Sequence, residues 1–107
     1  MTIYLSGPMS GLPNNNVPTF NKAAKKLRAA GYRVVNPAEL DEGEPKTSWV
    51  ECLKRDLKWL TACEAIATLP KWRKSRGANL EIYVGKQLDY PVHTVGYFLK
   101  HNRRGLR

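Results

Sequence analysis

Residues 2–11 read TIYLSGPMSG, and the fold turns on how that stretch is taken. TIYL is β-branched and aromatic and runs into glycine, which makes residues 2–5 a first strand. The GPMSG that follows, continued by LPNNN, has the composition of a loop. Beyond it Phe20, Ala23, Ala24 and Leu27 recur at three- and four-residue spacing, with Pro18 in the first turn and Gly31 past the end. That pattern predicts a helix over residues 18–30. YRVVN is a short second strand stopped by Pro37, and residues 37–47, PAELDEGEPKT, read as loop. Ser48 and Glu51 form an S-x-x-E capping box, and Trp49, Leu53, Leu57 and Leu60 carry an apolar helix face to about residue 61. EAIATL is a third strand, PKWRKSRG a loop, residues 78–88 a helix and PVHTVG a fourth strand. Residues 97–107 form a basic tail that either frays or makes a short helix. Strands alternating with helices across connections of this length imply right-handed crossovers and a parallel sheet covered on both faces. The expectation is a single α/β domain over residues 1–107, Rossmann-like and three-layered, with four to five parallel strands.

Length and composition bound the function. A chain of 107 residues holds one modest core, and 42% hydrophobic with 25% charged residues is ordinary for a globular protein. No apolar run is long enough to span a bilayer, and the N-terminus lacks a signal-peptide pattern, so a cytoplasmic protein is expected. Cys52 and Cys63 read as reduced core thiols. His93 and His101 have no metal-ligand spacing, and no Walker or dinucleotide fingerprint is present, so neither a metal nor a cofactor is expected. The formal charge of +9 favours anionic partners. Part of it is local, in Lys71, Arg73, Lys74 and Arg76 of the third loop.

In a parallel sheet ligands bind at the carboxyl ends of the strands, where SGPMSG, NPAEL and PKWRKSRG converge. The glycine-rich first loop and the basic third loop both suit a phosphate. SRGANLE, residues 75–81, opens the helix after that loop, and its free N–H groups favour an anion. Gly77, Glu81 and Gly85 share one helix stripe, which sets a carboxylate between two positions without side chains. On spacing alone the structural reading is favoured, with Glu81 a favourable first-turn charge, Gly77 a loop residue and Gly85 a packing contact. Tyr4 is either a core tyrosine or a phenol that orients a carboxylate. Asp56 borders the apolar stripe of its helix and is either an exposed acid paired with Lys58 or Arg55, or a site residue.

In order along the chain, TIYLSGPMSG, RDLKWLTACEAIATLP and SRGANLEIYVGKQLDYPV resemble the nucleoside 2-deoxyribosyltransferase superfamily over about residues 2–95. The resemblance implies a nucleophilic glutamate at Glu81, an orienting tyrosine at Tyr4 and a base-side aspartate at Asp56. Transferases of free nucleosides carry an aspartate six residues before the nucleophile, where this chain has Ser75. The resulting S-x-G-x-x-x-E is similar to the nucleoside 5′-monophosphate N-glycosidase branch, which implies phosphate contact at Ser75 and Gly77. The first loop, through Gly7, Met9, Ser10 and Gly11, would add backbone donors, with a further hydroxyl from Ser10. The cations of KWRKSR suit a phosphate better than a neutral nucleoside. Also implied are a homo-oligomer and retaining cleavage of an N-glycosidic bond, by hydrolysis or by transfer to a second base. For that chemistry Asp56 must hold a proton and Glu81 must be ionised, as the helix start and Tyr4 would favour.

Two rival readings follow from the same residues. One is a protein that binds a nucleotide or nucleotide signal without cleaving it. The other, less favoured, is nucleic-acid binding through the basic surface, with Trp72 as a stacking indole.

Overall fold

The structure, a computed structural model, describes residues 1–40 and 48–101. Strands β1 (Thr2–Ser6), β2 (Arg33–Val35), β3 (Ala65–Thr68) and β4 (Val92–Thr94) form one all-parallel sheet in the order β2-β1-β3-β4. They alternate with helices α1 (Val17–Ala29), α2 (Pro37–Leu40), α3 (Trp49–Leu60), α4 (Arg76–Gln87) and α5 (Val95–Lys100). The parallel α/β architecture expected from the alternation is the one observed, with four strands among the described residues.

The two-residue period of the strands divides the core. Ile3 and Leu5 of β1, with Ala65 and Ala67 of β3, pack against Phe20, Ala23, Ala24 and Leu27 of α1 and Phe98 of α5. Tyr4 and Ile66 point to the opposite face and meet Leu60 of α3 and Ile82 of α4. Each of the isoleucine, leucine and phenylalanine side chains, fully buried, stabilises the fold by roughly 1.5–3 kcal/mol, so residues of β1 are held on a stiff frame from both sides. Gly85 brings α4 onto the sheet, because a Cβ there would overlap the Cδ1 of Ile66.

Several boundaries differ from the sequence reading. Pro37–Leu40 is a helical turn rather than loop. The Asn36 side chain accepts from the Ala38 N–H at 3.1 Å, and Arg28 grips both oxygens of Glu39 at 2.7 and 2.8 Å while also donating to the Val34 carbonyl. The rest of that expected loop, residues 41–47, lies outside the described residues. The capping role of Ser48 is observed, its Oγ accepting from Glu51 N–H at 3.1 Å. Helix α4 begins at Arg76, two residues early, because Ser75 is its N-cap. The fourth strand ends at Thr94, since the threonine hydroxyl caps α5 by accepting from Tyr97 N–H at 3.0 Å. The tail is therefore helical to Lys100, and residues 102–107 lie outside the described residues. Cys63 is buried, and burial pushes its thiol up to about 11. Cys52 is not a core residue; it faces a cavity.

Candidate active site

The strand order creates the site. β1 and β3 are neighbours, yet β1 leads into α1 on one face of the sheet and β3 leads into α4 on the other. Connections that leave adjacent strands toward opposite faces open a crevice at their carboxyl ends. A cavity of about 350 Å³ lies there, bounded by the loop after β1, the start of α4 and the cavity-facing side of α3.

Glu81 lines that cavity from the sixth position of α4, on the stripe formed by Ala78, Glu81, Ile82 and Gly85 that faces the sheet. Only 5% of the residue is exposed. Tyr4 Oη donates to Glu81 Oε2 at 2.7 Å, and Ser6 Oγ donates to Oε1 at 2.7 Å. Burial pushes the carboxyl up to about 7; the hydrogen bonds from Tyr4 and Ser6 oppose that rise, and the charge of Asp56 adds to it. The helix start lends Glu81 less support than the sequence suggested. The residue lies beyond the first turn, where the dipole has faded, so desolvation prevails. The Tyr4 phenol is raised well above its ordinary value, first by burial and then by Glu81 and Asp56, and stays a donor.

Asp56 lines the same cavity from α3 and pairs with its neighbour Arg55, which donates to Asp56 Oδ1 from Nη2 at 2.9 Å and Nε at 3.2 Å. Ser75 and Gly77 line it at the mouth of α4; the Ser75 oxygen is engaged as cap acceptor of Ala78 N–H at 3.1 Å, which leaves its hydroxyl proton to donate. Gly77 borders open space, with the nearest atoms to an added Cβ 4.0 Å away. Of the first loop, Gly7, Met9 and Ser10 line the cavity. Gly7 also has a packing role, since a Cβ there would come within 2.7 Å of the Leu69 Cβ. Gly11 does not line the cavity and serves the turn instead, at φ +82°.

The basic loop is placed differently from expectation. Lys71, Arg73, Lys74 and Arg76 are outside the cavity lining. Lys71 and Arg73 border a separate hollow of about 330 Å³ between the ends of β3 and β4. The Arg76 guanidinium lies 3.9 Å above the ring of Trp49, which itself borders the main cavity. Trp72 is half-buried against the second core cluster and carries Arg73 at 4.6 Å, so it covers the sheet end. Trp49 and Leu53, read as a core-facing stripe, line the cavity instead; of α3 only Leu60 is buried. Ser6 was missed altogether. The available signal was its place two residues after Tyr4, which puts both hydroxyls on one strand face. Among the described residues no cluster of His, Cys, Asp and Glu is fit to hold a metal ion, and no helix is long and apolar enough to cross a membrane.

The four-stranded parallel sheet with its flanking helices resembles the deoxyribosyltransferase fold. The structure superimposes on the 2-deoxyribosyltransferase of the psychrotolerant bacterium Bacillus psychrosaccharolyticus with a TM-score of 0.69 and 22% identity, over 86% of this chain and 69% of that one. That protein is described as a biocatalyst for nucleoside synthesis. The chain belongs to the family described as a domain of unknown function, DUF4406, which it matches over residues 1–94. No curated protein matches it in sequence.

Proposed function

We propose that the protein cleaves the N-glycosidic bond of a nucleoside or deoxynucleoside 5′-monophosphate, as an N-glycosidase or deoxyribosyltransferase, with Glu81 as nucleophile. One observation carries this reading: a carboxylate, almost fully buried, is held by a donor on each oxygen and borders a cavity at the switch point of the sheet. The fold likeness to a 2-deoxyribosyltransferase supports it. Glu81 attacks the anomeric carbon, the bond to the base nitrogen breaks, and the base departs with its electron pair and a proton. Water, or the nitrogen of a second base, then attacks the anomeric carbon and frees the carboxylate. The phosphate is assigned to the start of α4, where Ser75 and Gly77 offer a hydroxyl and backbone N–H groups. Asp56 is the proton donor of this reading. Arg55 holds Asp56 through Oδ1, so in this reading the incoming base competes with that guanidinium for the carboxyl.

That pairing is also what favours the second reading, a site that holds a nucleotide without turning it over. Chromatography of the protein incubated with ribo- and deoxyribonucleoside 5′-monophosphates separates the two. The expected result is free base from the wild type and none from Glu81→Gln. Base release that survives this substitution excludes Glu81 as nucleophile. No base from any nucleotide, with a nucleotide still raising the melting temperature, establishes binding without cleavage. Sedimentation of the same sample decides the homo-oligomer that belongs to this reading.

A further inference from the structure

Ser6 ends the central strand and is wholly buried. Its neighbours fix its backbone: it sits in register with Thr68 of β3, and its carbonyl accepts from the Leu69 N–H at 2.9 Å. Its hydroxyl is directed to Glu81 Oε1 at 2.7 Å. Neither Ser6 nor Tyr4 is among the residues that line the cavity, whereas Glu81, to which both donate, is.

We propose that Ser6 is a positioning residue for Glu81: together with Tyr4, from adjacent same-face positions of β1, it fixes both carboxylate oxygens and thereby the plane in which the carboxylate meets a ligand. A carboxylate held through one oxygen pivots about that bond, whereas one held through both keeps a single orientation. Each oxygen retains a further lone pair for the cavity. Both donors are hydroxyls on a strand buried on its two faces, so the pair is set before any ligand arrives. Ser6 also opposes burial, since a donor to the charged form favours that form. The mechanistic part of this proposal rests on the glycosidase reading; the positioning part does not.

The test is a ¹³C NMR titration of the Glu81 side-chain carboxyl in the wild type, Ser6→Ala, Ser6→Thr and Tyr4→Phe. Ser6→Ala should move the Glu81 midpoint upward by about one pH unit, the worth of one hydrogen bond to a charged group. Ser6→Thr, which keeps the hydroxyl, should return it toward the wild-type value. With a nucleotide that is turned over, Ser6→Ala should lower kcat at least about tenfold at neutral pH and change KM less, because the lost contact is not to the ligand. A Glu81 midpoint that stays put in Ser6→Ala while Tyr4→Phe shifts it overturns the proposal. If no nucleotide is cleaved, the titration still decides the positioning role and only the glycosidase reading falls. Should Ser6→Ala not fold, the wild type answers alone. The Ser6 hydroxyl proton should be slowly exchanging and should shift with the Glu81 titration; a hydroxyl blind to that titration refutes the contact.

Discussion

At the residue scale burial ties the stability of the protein to the protonation of one group. Glu81 is raised from 4.5 to about 7, chiefly by burial. The native state therefore holds a proton that the unfolded chain has released, so this group's stabilising contribution is complete below about pH 4.5 and is lost as pH rises through 7. The difference amounts to about 3 kcal/mol. If Glu81 is the nucleophile of the proposed function it must act in the charged form, and turnover should then rise over the interval in which this contribution falls. Chemical denaturation of the wild type and Glu81→Gln at several pH values measures the effect: their stability difference should shift in favour of Glu81→Gln as pH goes from 5 to 8. A difference that is constant across that range disproves the raised value. Local pattern put Tyr4 on the first strand and Glu81 on a helix stripe but left both open as structural residues, and only the resemblance in motif order singled them out; the structure shows that the two side chains meet. Ser6 was not singled out, because a serine before Gly-Pro reads locally as loop, and only the sheet reveals that its hydroxyl is directed across to α4.

At the scale of elements α4 couples the site to the core through two glycines with opposite demands. Gly85 lies against Ile66 and has no room for a Cβ, whereas Gly77 borders the cavity and has room. Gly85→Ala should therefore destabilise the fold by about 1–3 kcal/mol through overpacking. Gly77→Ala should be neutral or stabilising by up to about 1 kcal/mol, because alanine is the better helix former, and should weaken nucleotide binding by filling cavity space. Thermal melts with and without a nucleoside 5′-monophosphate check both; equal destabilisation by the two changes contradicts the assignment. The sequence placed both glycines on the Glu81 stripe, but not the contrast between them, because periodicity says which residues share a face and not how near that face lies to the sheet. The late start assigned to α4 has a similar origin. Ser75 was weighed as a ligand for phosphate, while its cap geometry makes it the boundary of the helix as well. The run Asn14, Asn15 and Asn16 is another feature with a local cause: all three are left-handed, with φ of 52°, 52° and 61°, a region that asparagine tolerates better than most side chains.

For the whole molecule, the alternation of strands and helices announced a parallel sheet, and the carboxyl-end rule announced where its cavity would lie. What alternation could not assign was the destination of each apolar or basic side chain. Trp49 and Leu53 have the spacing of a core stripe, yet they line the cavity, and the cations of the third loop lie outside its lining. The site's partners also come from opposite ends of the chain: Tyr4 and Ser6 meet Glu81 across 77 and 75 residues of sequence. Contacts of such long range close late, after the entropy of the intervening loop has been overcome. A chain still emerging from the ribosome has synthesised the residues of its first strand long before Glu81 can reach them, so Tyr4, Ser6 and Glu81 come together only once the crossover through α4 has been made. Refolding from denaturant should show this directly, with ligand binding returning no earlier than hydrogen-exchange protection of the β1 and β3 amides. Binding that precedes that protection would mean the pocket assembles without its sheet.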